Sequence, residues 1–183
     1  KTEREGVCSV KYTETTGDYK KWIVGSVRGV EETGIADAGS PNASHIESNS
    51  SQWVIRGGNP TATLDCTLPA TFGLSQIVWW NGHQDHATNR GAKLVNIMTS
   101  FNGSAFSDLG NFNIDQATGT GPDTIIDLSS LSPIADFVKI SILSNHGDGN
   151  YLTIREIRFY EGATAVPEPS TLAIFALGMI GFA

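Results

Sequence analysis

An all-β fold, built as an antiparallel β-sandwich, is predicted from three observations. Apolar residues recur with period two, turn residues punctuate them often, and helical periodicity is almost absent before the C-terminal tail. Ala62, Leu64, Cys66 and Leu68 alternate with Thr61, Thr63, Asp65 and Thr67, which describes a strand with one wet face. Ile77 to Trp80 is a short apolar run suited to a central strand. Val95, Ile97 and Thr99 alternate with Leu94, Asn96, Met98 and Ser100, and this strand ends at the turn dipeptide Asn102-Gly103. Thr124 to Leu128 follows. Val138, Ile140 and Ile142 then share one face, with Lys139 and Ser141 on the other. Short strands joined by polar loops favour a sandwich over parallel βαβ units.

The closing strand, Tyr151 to Tyr160, breaks phase. Ile154 is apolar, yet Ile157 and Phe159 have the opposite parity, so strict alternation cannot bury all three. A bulge near Arg155 and Glu156 resolves the conflict. The chain has two cysteines, Cys8 and Cys66. In an oxidising compartment they are expected to form one disulfide tying an N-terminal arm to a core strand, worth about 4 kcal/mol on a chain-entropy model. Two buried thiols, or pairing between chains, are the alternatives.

Composition narrows the function. The 183 residues carry a net charge of −7 with only 17% charged residues, so no basic stripe exists for phosphate backbones and nucleic acid is a poor partner. The length suits one domain and a tail, and 39% hydrophobic residues suffice for a core. The chain opens at Lys1 without an apolar signal segment, as expected if a secretory leader has been removed.

The tail carries the most specific motif. Val166, Pro167, Glu168, Pro169, Ser170 and Thr171 precede an uncharged stretch of thirteen residues counted from Thr171 to Ala183. Pro167 and Pro169 stiffen the spacer, and Ser170 is placed to cap a short hydrophobic helix. This pattern resembles the PEP-CTERM sorting tail of exopolysaccharide-making Gram-negative bacteria. The resemblance implies export to the cell surface or extracellular matrix, an exosortase-type sorting enzyme as partner, and membrane contact through the tail before processing. The basic cluster of such tails does not follow here, so the tail is expected either to extend further or to have been trimmed. The visible helix spans roughly 20 Å, short of a bilayer core of about 30 Å. Burial of this segment in the domain or in a neighbouring subunit is the alternative.

A second resemblance rests on the order of several segments. Trp53, the strand Ala62 to Leu68, Val78-Trp79-Trp80-Asn81, Ser100-Phe101-Asn102-Gly103-Ser104 and Ile154-Arg155-Glu156-Ile157-Arg158-Phe159-Tyr160 are arranged as in the discoidin, or coagulation-factor C-type, domain. That family is a galactose-binding-like jelly roll and includes many carbohydrate-binding modules. The resemblance covers about residues 40–161. It implies a structural calcium held between an N-terminal loop and a closing-strand carboxylate. Here those positions are Glu47, Asn49, Ser51 and Glu156, with Glu47 standing where the family has Asp and Ser48 where it has Gly. Oxygen donors at alternate positions suit a hard cation.

Sugar recognition needs planar donors and acceptors together with an aromatic face. The loop after the tryptophan pair supplies Trp80, His83, Asp85, His86, Asn89 and Arg90, and Asn145 and His146 form a second candidate loop whose glycines permit tight turns. Arg90 is the nearest match to an arginine that contacts sugar in related modules. Adjacent Trp79 and Trp80 must point to opposite faces, so at most one fronts a ligand. His83, Asp85 and His86 match no zinc-site spacing, and neither a nucleophile elbow nor a phosphate loop occurs.

The expected organisation is therefore an arm over 1–39, a discoidin-like sandwich over 40–161 forming one domain with it, a Pro-rich linker over 162–170 and a hydrophobic helix over 171–183. The expected function is a non-catalytic, exported surface protein that binds polysaccharide. The alternative is a structural homo-oligomer, a filament or surface-layer subunit joined through its tail or arm.

Overall fold

The computed structural model describes residues 7–11, 52–56, 61–82 and 87–161. Outside them lie most of the 1–39 arm, Glu47, Asn49 and Ser51, the loop residues His83, Asp85 and His86, the 162–170 linker, the motif Val166-Pro167-Glu168-Pro169 and the 171–183 segment expected to be helical. The described residues contain eight strands: β1 (Val7–Lys11), β2 (Trp53–Arg56), β3 (Ala62–Asn81), β4 (Ala92–Ser100), β5 (Ser107–Asn113), β6 (Thr124–Asp127), β7 (Ile134–Asn145) and β8 (Tyr151–Glu161). Every pairing between them is antiparallel.

One strand joins the two layers of this β-sandwich. The segments expected as separate strands, Ala62 to Leu68 and Ile77 to Trp80, are a single 20-residue strand, β3. Its first half pairs with β1 and β7, and beyond β7 come β4 and β5; its second half pairs with β8 and β6, with β2 on the far side of β8. The ladder to β7 shifts between Thr67 and Phe72. Pro69 falls inside that break, where its missing N–H interrupts no ladder bond. The expectation of two strands failed because Pro69 reads as a terminator in sequence, whereas here it marks the passage between layers.

The alternation read from sequence is otherwise the burial pattern. Leu64, Cys66, Leu68, Val95, Ile97, Val138, Ile140 and Ile142 all face the shared core. Cys66 is disulfide-bonded, and the position directly opposite it across the β1–β3 ladder is Cys8, the other cysteine of the chain. Gly103 adopts φ +72° at the predicted Asn102-Gly103 turn, a conformation that suits glycine.

The phase break of β8 is a bulge. Trp80 pairs with Glu156 and Asn81 with Ile154, so Arg155 is the extra residue. Leu152 and Ile154 before it, and Ile157 and Phe159 after it, consequently all reach the same core. The opposite face receives Glu156 and Arg158, whose side chains pair through Arg158 Nε and Glu156 Oε1 at 2.6 Å while only 9% and 3% exposed. Deleting Arg155 restores strict alternation and expels one of the two apolar pairs. The deletion is expected to abolish the cooperative thermal transition, whereas Arg155→Ala keeps the extra residue, loses the bond to the Gly119 carbonyl and costs about 1–3 kcal/mol. Circular-dichroism melts of the two variants test this.

Candidate functional site

At one end of the sandwich β3 finishes at Asn81, β4 starts at Ala92, β7 finishes at Asn145, β8 starts at Tyr151 and β2 ends at Arg56, which pairs with Tyr151. Asn81 is fully buried and organises this end. Its Nδ2 donates to the carbonyls of Ala92 (2.9 Å) and Asp115 (2.7 Å), and its Oδ1 accepts from the Ala92 N–H (2.8 Å) and Trp79 Nε1 (3.0 Å). Two donors and two acceptor sites are thereby used, the full capacity of the amide. Its backbone N–H donates to Asp123 Oδ2 at 2.6 Å.

Gly82 and Gly91 rest on a common floor. The Gly82 N–H donates to the Thr153 carbonyl at 3.2 Å, and Gly91 bridges Thr153 as well. A Cβ at Gly82 would overlap the Thr153 side chain, and one at Gly91 would lie 2.6 Å from Asn81 Cγ. Glycine is required at both places because the backbone passes too close for any side chain.

Two loops converge above this floor. The 3₁₀ turn Thr88–Arg90 meets the loop between β7 and β8, where the Asp148 N–H donates to the Asn89 carbonyl (3.3 Å) and the His146 N–H to the Gly91 carbonyl (3.1 Å). Gly147 turns that loop at φ +114°. Arg90 lies with its guanidinium carbon 4.4 Å from the centre of the Tyr151 ring, and its Nε donates to Asp148 Oδ2 at 3.2 Å. The other oxygen, Asp148 Oδ1, accepts from the backbone N–H groups of Asn150 (2.8 Å) and Tyr151 (2.9 Å). Burial works to raise the Asp148 pKa, but these two bonds and the Arg90 charge together outweigh it and hold the carboxyl below its ordinary value. Arg56 donates from Nε (3.1 Å) and Nη2 (2.6 Å) to the Tyr151 hydroxyl.

Of the residues singled out for glycan contact, Asn89, Arg90, Asn145 and His146 are brought together here. Their roles separate. Asn89 is exposed. Asn145 is committed to its own loop: Nδ2 donates to the carbonyls of Asp148 (2.6 Å) and Tyr151 (2.9 Å), and Oδ1 accepts from the Gly147 N–H (3.0 Å). His146 Nε2 lies 3.0 Å from the Ile114 carbonyl, tying in a third loop that Gln116 also joins through its bond to Thr88 Oγ1 at 2.6 Å. Trp80 is a correction. It is 0% exposed, packed with Val78 and Tyr160 on the outer face of the second layer beneath the Arg158 guanidinium, and cannot front a ligand. Trp79 is equally buried, in the main core. The aromatic at the described rim is instead Tyr151, which sequence reasoning treated only as the start of a strand. Its place directly after Asp148-Gly149-Asn150 was the available signal.

Glu156 is the one expected metal ligand among the described residues. Its carboxylate already accepts from Arg158, and among the described residues no group of three or more His, Cys, Asp or Glu side chains gathers in a metal-binding arrangement.

Residues 165–183 match the model of the PEP-CTERM protein-sorting motif. The chain carries an export and sorting label. That label assigns it to the cell surface or the extracellular space. No curated protein sequence matches the chain. Among solved structures, the domain is similar to the CBM32-3 module of a family 31 glycoside hydrolase from Clostridium perfringens, with a TM-score of 0.52 and 15% identity over 85% of this chain and 91% of that one. It is similar to the family 32 module of NanJ from the same organism, solved with galactose, at a TM-score of 0.51 and 15% identity over 85% and 93% of the two chains. A third is the CBM32-5 module of CpGH89, also from C. perfringens and solved with GalNAc-β-1,3-galactose, at a TM-score of 0.51 and 14% identity over 86% and 95%. The PEP-CTERM-tagged chain thus has the discoidin-like, galactose-binding-like jelly-roll fold of family 32 carbohydrate-binding modules.

The Asp148 clamp has a defined pH dependence. A carboxyl held below its unfolded value contributes stability above that value, near 3.9, and loses it as the pH falls through the folded value. The amide resonances of Asn150 and Tyr151, followed by NMR during acidification, are expected to titrate with a midpoint below the ordinary aspartate value.

Proposed function

We propose that this chain is a non-catalytic, exported glycan-binding protein whose ligand sits at the loop end, contacted by Asn89 and Arg90 and by His83, Asp85 and His86 of the adjoining segment. The observation that carries the reading is the setting of Arg90. A ring below it and a carboxylate beside it orient the guanidinium before any ligand arrives, and a pre-oriented planar donor is what recognition of sugar hydroxyls needs. Asn145, His146, Asp148 and Tyr151 act as holders of this geometry rather than as contacts. The sugars named for two similar modules, galactose and GalNAc-β-1,3-galactose, support a galactose-configured residue as the ligand. The sorting tail supports the same reading, since it delivers the domain to a compartment where polysaccharide is displayed.

A structural calcium held by Glu47, Asn49, Ser51 and Glu156 belongs to this proposal. Glu156 supports it as a nearly buried carboxylate on the bulged strand, with Arg158 already engaging one oxygen. When bound, such an ion would brace the loop carrying Glu47 against β8.

Glycan-array binding and titration calorimetry with galactose-terminated oligosaccharides test the site. Arg90→Ala is expected to weaken binding at least tenfold, about 1.4 kcal/mol or more, with little change in the melting temperature. For the ion, adding a chelator to purified protein is expected to lower the melting temperature by several degrees, with recovery on adding calcium and no such response in Glu156→Gln.

A further inference from the structure

We infer that the ligand of this end is an acidic saccharide, one whose carboxylate or sulfate ester is met by Arg56. The inference rests on the glycan-binding reading above and names the class of glycan. Arg56 closes β2 opposite Tyr151, is exposed, and lies with its guanidinium carbon 5.2 Å from the centre of the ring on which Arg90 also rests. Three cations of the described residues stand in ion pairs, Arg90 with Asp148, Lys139 with Asp65 and Arg158 with Glu156. Among the described residues Arg56 has no carboxylate within ion-pair distance; its bonds go to the Tyr151 hydroxyl. In a chain of net charge −7, two guanidinium groups share one phenol ring, and of the two it is Arg90 that Asp148 pairs with.

The geometry of Arg56 fits an anion. A guanidinium has five N–H donors in a fixed fork. The bonds to Tyr151 use the Nε donor and one on Nη2, which leaves both Nη1 hydrogens and the second Nη2 hydrogen. The Nη1–Nη2 edge, left open here, can bind a carboxylate with two parallel hydrogen bonds. Tyr151 holds the inner edge, and the outer edge is directed away from it. A neutral galactose residue would leave that charge unmatched, whereas a uronate or sulfated sugar occupying the Arg90 side of Tyr151 would bring its acid group to Arg56.

Calorimetry on the full chain with three probes decides the matter: oligogalacturonate, a sulfated galacto-oligosaccharide and a neutral galacto-oligosaccharide. At low salt at least one acidic probe is expected to bind about fivefold to tenfold more tightly than the neutral one. High salt should remove that advantage, because the contact is exposed and screened. Arg56→Gln, which keeps a donor for the Tyr151 hydroxyl, should erase the advantage while changing neutral binding less than about twofold. If this variant fails to fold, the salt dependence of the unmodified chain gives the same readout. Equal binding of acidic and neutral probes, or an acidic preference that survives Arg56→Gln and high salt, overturns the inference and leaves the proposed function standing. Binding to none of the three overturns both.

Discussion

The loop end depends on a single buried amide. Asn81 closes four side-chain hydrogen bonds in a place that water does not reach, and through them it joins the end of β3, the start of β4 and the 115–123 loop. A buried polar group costs stability when unsatisfied, and one that is fully satisfied specifies position closely because no other arrangement meets all its bonds. An aspartate here would lose two donors and an apolar residue all four bonds. The loops that carry Arg90, Gln116 and His146 inherit their spacing from this junction, which makes a polar residue in the interior the foundation of a polar site at the surface.

The second organising feature is the bulge at Arg155. It lets four apolar residues of one strand share a core although they lie on opposite parities, and it sends Glu156 and Arg158 to the other face. Burying that ion pair is costly in desolvation, and breaking it from one side leaves a lone charge. Burial works against the Arg158 charge, but Glu156 and Tyr160 together more than offset this, so the guanidinium is held charged. The outer face of the second layer is thus built from Trp80, packed with Val78 and Tyr160, and the Arg158–Glu156 charge pair, with the Arg158 guanidinium over the Trp80 ring.

Much of this was legible in the sequence, for identifiable reasons. Period-two alternation in β3, β4 and β7 is a direct image of the pleat, and the parity conflict between Ile154 and Ile157 has one economical solution, which is the bulge observed. The convergence of Arg90 with the Asn145-His146 loop was also readable, since both segments punctuate strands that end at the same side of a sandwich. What sequence could not convey was the second layer of contacts. Trp80 looked like a rim aromatic because a tryptophan beside a polar loop does so, yet the register across from Glu156 places it under Arg158. Tyr151, Asp148 and Arg56 act through pairing between strands far apart in the chain, and no local pattern announces that. β5 was missed because Ser107-Asp108-Leu109-Gly110-Asn111-Phe112-Asn113 carries polar and glycine residues that read as loop, while pairing with β4 overrides that preference.

The long strand β3 has a consequence for how the domain comes apart. A sandwich whose sheets share no strand can in principle loosen one sheet while the other persists. Here the two halves of one continuous strand serve the two layers, so opening either ladder frees backbone that runs directly into the other, and side chains of both halves pack in one core. Subglobal opening of one sheet is penalised, and the domain gains a reason to melt as a single unit. For a protein displayed outside the cell, where no chaperone mends a half-open state, an all-or-none scaffold leaves few partly unfolded forms for proteases to find.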